Sequence, residues 1–137
     1  DTIFTTRKED ITKSVNINFF SAFTLWNTVG HAVSENGIVI NICSILSKNI
    51  RSRAFSYTLS KQMLYTFGKF LQAELMPKGI RVTNVIPGSI NTPSWDGINA
   101  PRETFVQPED IASAIEVIIN STGWFEEFVV RPTHTDY

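Results

Sequence analysis

The sequence predicts an α/β domain built on a doubly wound parallel sheet, with helices on both faces. Three observations carry this. Helical and extended patterns alternate strictly along the chain, in the order helix, strand, helix, strand, helix, strand. The extended segments are β-branched and almost continuously apolar, as strands covered on both faces are. Turn and breaker residues punctuate each change of pattern. Three strands make a thin sheet for such a layout. Either they belong to a larger sheet or an edge calls for a partner.

The elements follow in order. Thr6-Arg7-Lys8-Glu9 has the form of a capping box, and the chain reads as helix from there to about Ser34. Asn16, Phe19, Phe20, Phe23, Trp26 and Asn27 give that helix a broad apolar surface with embedded amides. The turn Glu35-Asn36-Gly37 stops it, and Gly37-Ile38-Val39-Ile40-Asn41-Ile42-Cys43-Ser44 reads as a buried strand over 37–43. A polar, basic loop from Ser47 to Arg53 leads into a second long helix, from about Ala54 to Met76. Pro77 and Gly79 end that helix. A strand over 80–86 closes on Pro87-Gly88, and residues 89–106 form a long loop rich in Asn, Pro, Ser and Gly. Gln107-Pro108-Glu109-Asp110 opens a third helix, with Pro in its first turn and acids at the positive end of its dipole. It runs to about Ser121, with Gly123 just beyond. A last strand over 127–131 precedes Pro132 and a polar tail.

Composition narrows the function classes. The 137 residues allow one domain and one core, and 42% hydrophobic with 18% charged is an ordinary globular balance. A net charge of −1 without a basic block gives no nucleic-acid footprint. No apolar run approaches the ~20 residues of a membrane span. The N-terminus carries no signal-peptide pattern, and it lacks a starting Met, which points to a chain that begins inside a longer protein. The single cysteine, Cys43, rules out an internal disulfide and a multi-cysteine metal site, so no metal is expected and a reducing, cytoplasmic setting is the default. His31 and His134 have no partner pattern and read as solvated or capping residues.

Chemistry in open parallel sheets gathers at the carboxyl edges of the strands. Those edges are Ser44, the Pro87-Gly88 turn and the region of Pro132, so Ser44 and Pro87-Gly88 should share one rim. The second helix enters from that rim and carries Tyr57-Thr58-Leu59-Ser60-Lys61. Residues four apart on a helix share a face, with Cβ atoms roughly 6 Å apart. An ammonium beside a phenol would lower the phenol pKa and make it a usable general acid or base. Ser44 would donate to a substrate carbonyl. Each feature alone also has a plain reading: an ordinary Tyr–Lys pair, and a serine in a turn.

Taken together, these residues resemble the short-chain dehydrogenase/reductase family, from just after its fourth strand to its C-terminus. Ser44 stands thirteen residues before Tyr57, and Tyr57-x-x-x-Lys61 is similar to the family signature. Val15-Asn16-Ile17 resembles the helix motif that carries the family's catalytic asparagine, Gly37 to Ser44 resembles the strand that delivers its serine, and Pro87-Gly88-Ser89-Ile90-Asn91-Thr92 resembles its Pro-Gly-x-x-x-Thr turn. The resemblance implies a Rossmann-type fold and an enzyme moving a hydride between NAD(P) and a carbonyl or alcohol, of the carbonyl-reductase or oxoacyl-reductase kind. It implies Tyr57 as general acid/base, Lys61 as the residue that lowers its pKa and binds the nicotinamide ribose, and Ser44 as the group that orients the carbonyl. Asn16 would hold a water linked to Lys61. Asn18 fits that motif less well, and a buried structural amide is the other reading of Asn16. Pro87, Gly88, Ile90 and Thr92 would hold the nicotinamide side of the cofactor, although Pro87-Gly88 also reads as a strand terminator. The loop from Pro93 to Thr104 would be a substrate lid, with Trp95 as a lining residue or a packing anchor. The C-terminal Glu126 to Thr133 resembles a subgroup of NADP-dependent hydroxy-acid and carbonyl reductases, which favours NADP(H). The resemblance also implies a homodimer or homotetramer through the helices over 10–33 and 54–76, using Phe19, Phe20, Phe23 and Trp26 with Met63, Phe67, Phe70 and Leu71.

The chain departs from the family in one respect. A Thr-Gly-x-x-x-Gly-x-Gly phosphate turn, an Asn-Asn-Ala-Gly strand and the residue that chooses NAD over NADP occur nowhere in these residues. They would thus form the C-terminal catalytic part of one domain, 1–137, which binds cofactor poorly by itself. The competing expectation is a truncated, non-catalytic oligomerisation or binding module.

Overall fold

The computed structural model describes residues 1–133, so His134 and the end of the tail lie outside the described residues. The elements are α1 (Lys8–Val15), a π-helical segment (Asn16–Phe20), α2 (Ser21–Val29), β1 (Ile38–Ile42), α3 (Phe55–Leu75), β2 (Arg81–Pro87), α4 (Pro108–Asn120) and β3 (Glu127–Val130). The sheet is ordered β1-β2-β3 and is wholly parallel, with Val39 opposite Val82 and Val85 opposite Phe128. The expected strands and their direction are therefore present.

The first helix differs from expectation at both its start and its middle. Arg7 stands at the N-cap position, and Asp10 rather than Glu9 reaches back. Its carboxylate accepts the Arg7 backbone N–H at 3.2 Å and the Arg7 guanidinium at 3.1–3.2 Å. Thr6 instead donates to the Thr2 carbonyl at 2.5 Å. Asp10 wins because one carboxylate caps the backbone and pairs with a guanidinium at once. The helix then passes through one π-turn at Asn16–Phe20 before resuming as α2. Such a bulge inserts a residue and rotates the faces on either side of it. The aromatic residues accordingly divide. Phe19 and Phe23 meet Phe67 of α3 edge-on at 6.1 and 5.9 Å, and Trp26 packs over Leu71, Leu75 and Val82. Phe20, on the other side, is exposed.

Strand alternation sorts the core into two layers. Val39, Cys43, Val82 and Ile86 face α3, together with Leu64, Leu71 and Leu75. Ile38, Ile40, Val85, Phe128 and Val130 face α4, together with Ile111 and Ile118. Cys43 is buried in the first layer, as its strand position requires, and burial pushes its thiol up to about 12. Because α3 and α4 cover opposite faces while the strands advance in one direction, the crossovers β1-α3-β2 and β2-α4-β3 have opposite hands. One of them breaks the usual right-handed rule.

A polar contact sits inside the α3 layer. Asn41 of β1 donates to Asn84 of β2 at 2.9 Å and to the Leu64 carbonyl of α3 at 3.0 Å. Gly68 lets α3 lie directly on this pair. A Cβ at position 68 would stand 2.0 Å from Asn84 Oδ1 and 2.7 Å from Asn41 Nδ2.

Candidate active site

The carboxyl end of β1 delivers Ser44, which is buried at 8% exposure and caps a 3₁₀ turn over Ile45–Ser47. Its Oγ accepts the Leu46 backbone N–H at 3.2 Å, and its own N–H donates to Ser47 Oγ at 3.3 Å. The turn is thereby locked to the serine at its head. Helix α3 opens beside it after Ala54, which is held in the left-handed region at φ 59°. Tyr57 lies in the first turn of α3 and is 39% exposed. One turn on, Lys61 reaches back to the rim: its Nζ donates to the Ile42 carbonyl at 3.1 Å and lies 5.8 Å from the centre of the Tyr57 ring. Ser44, Tyr57 and Lys61 therefore share the end of β1, as their positions in the sequence require.

The electrostatics differ from the expectation in one respect. Burial pushes the Tyr57 phenol above its ordinary value, and a hydrogen bond with Ser44 pulls it partly back. Burial likewise lowers Lys61, while the neighbouring Cys43 opposes that shift. The ammonium does not bring the phenol down, because it is aimed at the Ile42 carbonyl rather than at the phenolic oxygen.

The π-turn decides which asparagine faces α3. Asn18 Nδ2 donates to Ser60 Oγ at 3.1 Å and to the Ser14 carbonyl at 3.1 Å. Asn18 and Tyr57, with Ser14, Ile17 and Ser56, line one shallow cleft. Asn16 is exposed and lines a different hollow with Lys8, Thr12 and Lys13, so the structure does not bring its side chain to the Tyr57 group. His31 is exposed in the turn after α2, away from these residues.

The turn after β2 has both a structural and a chemical aspect. The Gly88 N–H donates to the Val130 carbonyl at 2.7 Å, and a Cβ there would lie 2.7 Å from Pro132 Cδ. Gly88 thus lets β3 pass. Two residues on, Ile90 forms an isolated parallel bridge with Val106, closed by the Ser89 carbonyl and the Asn91 N–H. Such a bridge leaves the Ile90 N–H and C=O directed away from its partner. The loop from Pro93 to Thr104 is tied down by a residue that sequence reasoning passed over. Arg102 donates to Asn91 Oδ1 at 2.8 Å, to Asp96 Oδ1 at 2.7 Å and to the Thr92 carbonyl at 3.2 Å. Thr92 Oγ1 pairs with Ser94 Oγ at 2.7 Å, and Trp95 packs on Phe105 at 4.9 Å, which makes it a packing anchor in this arrangement. Lone arginines in loops carry no pattern, so nothing in the sequence marked Arg102.

Among the described residues no group of three or more His, Cys, Asp or Glu is placed to hold a metal ion, and no helix is long and apolar enough to cross a membrane.

Comparison with known proteins adds the following. A family model described as short chain dehydrogenase matches residues 2–103. An uncharacterised oxidoreductase of Staphylococcus saprophyticus is 32% identical over 100 residues, covering 72% of this chain and 43% of that protein. Glucose and ribitol dehydrogenase homolog 2 of Arabidopsis thaliana is 36% identical over 106 residues, covering 69% of this chain and 37% of that protein. The chain thus spans less than half the length of these relatives. Among solved structures, 4-hydroxyisoleucine dehydrogenase complexed with NADH superposes with a TM-score of 0.78 at 25% identity, over 94% of this chain and 61% of that one. An alcohol dehydrogenase from the archaeon Thermococcus sibiricus, complexed with 5-hydroxy-NADP, superposes over 100% of this chain and 60% of its own, with a TM-score of 0.83 at 16% identity. That likeness is one of fold, a Rossmann-like α/β arrangement.

Proposed function

The chain belongs to the short-chain dehydrogenase family, and from that premise we propose that it is the C-terminal, catalytic part of an NAD(P)-dependent oxidoreductase acting on a carbonyl or alcohol. One observation carries the reading: Ser44, Tyr57 and Lys61 meet at the end of β1. The carbonyl-reductase or oxoacyl-reductase type is the finer form of the proposal.

The residues present fit a nicotinamide. Lys61 spends one donor on Ile42 and has others for ribose hydroxyls. The Ile90 backbone pair matches the donor and acceptor of a carboxamide, with Pro87, Gly88 and Thr92 shaping the turn that presents it. When bound, the nicotinamide supplies or accepts the hydride. Tyr57 supplies the proton in reduction and takes it in oxidation, and its raised pKa keeps the acid form filled at neutral pH. Ser44, beside the phenol at the end of β1, aligns the carbonyl oxygen with that proton. For the asparagine role Asn16 is the candidate by motif, while Asn18 is the amide that faces α3. NADP(H) is favoured over NAD(H) on the C-terminal segment, and a cytoplasmic setting suits either pool.

Lys61→Ala is expected to raise the cofactor Kd and lower turnover together, because one ammonium serves both ribose and rim. Ser44→Ala should lower turnover with a smaller change in cofactor Kd. Equal effects of both variants on Kd would remove the role division. The isolated 137 residues are expected to show no turnover with either cofactor, since no glycine-rich phosphate turn is among them. Measurable reduction by this segment alone would overturn that.

Assembly belongs to the same proposal. Ile17, Phe20, Leu25 and Val29 on the first helix and Phe70 on α3 are exposed apolar residues on the two helices over 10–33 and 54–76. A homodimer or homotetramer through these helices would cover them. Sedimentation at micromolar concentration should show an even-numbered oligomer; a monodisperse monomer would refute it. A non-catalytic oligomerising module is the second reading, favoured by the absence of a phosphate turn from these residues. It predicts the same assembly with no effect of Tyr57→Phe in the longest gene product carrying the chain.

A further inference from the structure

One side chain outside the proposed machinery touches both of its supports. Glu127, the first residue of β3, points to the α3 side of the sheet. Its Oε1 accepts the Tyr65 hydroxyl at 2.6 Å, and its Oε2 pairs with the Lys48 ammonium. Lys48 also lies 5.6 Å from the centre of the Tyr65 ring, which closes a triangle of three residues. Lys69 flanks it, 4.0 Å from Glu127 Oε1 and 3.5 Å from Glu126 Oε2.

The two partners are not arbitrary. Lys48 ends the Ser44 turn: its N–H donates to Ile45, while Ser47 is bonded to Ser44 through both its backbone and its hydroxyl. Tyr65 continues a stripe of α3 that runs Tyr57, Lys61, Tyr65 in steps of four, so it stands on the catalytic face two turns below Tyr57. We infer that Glu127 is a positioning residue, a clamp that fixes the Ser44 turn and the Tyr57 helix to one point on the sheet and so sets the placement of Ser44 beside Tyr57. The idea rests on the reading of Ser44 and Tyr57 given above. The charges around the clamp are consistent with a held carboxylate. Burial would raise Glu127, yet hydrogen bonds from Lys48 and Tyr65 and the charges of Lys48 and Lys69 hold it below the usual range. Tyr65 is pushed up to about 12 by burial and by Glu127.

The test reads the ionisation of Tyr57 by carbon-13 NMR of ring-labelled tyrosine. The chain has 3 tyrosines, and Tyr65→Phe and Tyr137→Phe assign the signals. In Glu127→Gln and in Lys48→Met, loosening of the Ser44 turn should draw the Ser44 hydroxyl away from the phenol, whose upward shift it opposes. The Tyr57 midpoint should then rise in both, by about 0.5–1 pH unit. Glu127→Asp should restore part of the shift. A purely electrostatic influence would move Tyr57 in opposite directions, down when the carboxylate is neutralised and up when the ammonium is removed. Opposite shifts, or an unchanged Tyr57 midpoint beside a lowered Tyr65 midpoint, would overturn the clamp. If Glu127→Gln does not fold, Tyr65→Phe decides the matter, because it breaks the clamp without removing a charge: it should raise Tyr57, and the absence of a rise sinks the idea. None of these readings uses turnover, so the clamp and the catalytic assignment fail separately.

Discussion

Tyr57→Phe is expected to lower carbonyl reduction by roughly 10²–10⁴-fold, the usual contribution of a positioned acid, while leaving the cofactor Kd nearly unchanged. The phenol ring packs and the phenolic proton reacts, and phenylalanine keeps the first and deletes the second. In this structure the Lys61 ammonium lies 5.8 Å from the centre of the ring, and the hydroxyl is the group whose ionisation Ser44 favours. The measurement is steady-state reduction with parallel cofactor titration, in the longest gene product that contains these residues. A pH profile sharpens it. Tyr57 has a raised pKa, so the protonated, acid form persists through neutrality. Reduction should fall only as pH rises through that elevated value, and alcohol oxidation, which needs the phenolate, should rise over the same interval. Near-normal turnover in the Phe variant would remove Tyr57 from the mechanism, whatever the match of motifs.

Much of the fold was legible because its signals are local. Strand β1 announces itself through Ile38 to Ile42, and Pro87, Gly79 and Pro108 mark boundaries through fixed backbone preferences. The spacing of Ser44, Tyr57 and Lys61 placed three side chains on one rim for a geometric reason: a strand tip and the first turns of the next helix share the same edge of a parallel sheet. The π-turn was not legible. A single inserted residue leaves hydrophobic periodicity almost unchanged, yet it sends Asn16 to solvent and Asn18 to Ser60. Nor could spacing reveal where the Lys61 amine points, because a four-carbon stem reaches several acceptors and here the Ile42 carbonyl takes it. Arg102 and Glu127 act across 6 to 79 residues of sequence, and such pairings leave no periodic trace.

The largest expected effect on stability comes from Gly68, a residue with no chemistry of its own. Helix α3 lies on β1 and β2 at the hydrogen-bonded pair Asn41–Asn84, and Asn84 is fully buried. An alanine methyl at position 68 would stand 2.0 Å from Asn84 Oδ1. No flexible tail can swing aside there. The amide oxygen is held by Asn41 at 2.9 Å, and the amide nitrogen faces the Tyr65 carbonyl of α3 at 3.4 Å. Either the helix rises from the sheet, parting Leu64, Leu71 and Leu75 from the apolar layer of Val82 and Ile86, or Asn84 turns and strands a buried donor and acceptor. Overpacking costs about 1–3 kcal/mol, and stranding a buried polar group costs about 1–3 kcal/mol. By either route Gly68→Ala should therefore remove about 1–3 kcal/mol, a large share of the 5–15 kcal/mol typical of a domain. Chemical denaturation measures it directly. The cause is separable from glycine's general helix penalty, which predicts the opposite sign: alanine in a helix interior should stabilise by about 1 kcal/mol. A double-mutant cycle isolates the contact. Asn84→Ala removes the atom that the new methyl would strike, so Gly68→Ala should cost markedly less in the Asn84→Ala background than alone. Additive losses would show that the close approach of α3 to the asparagine pair is not what requires glycine at this position.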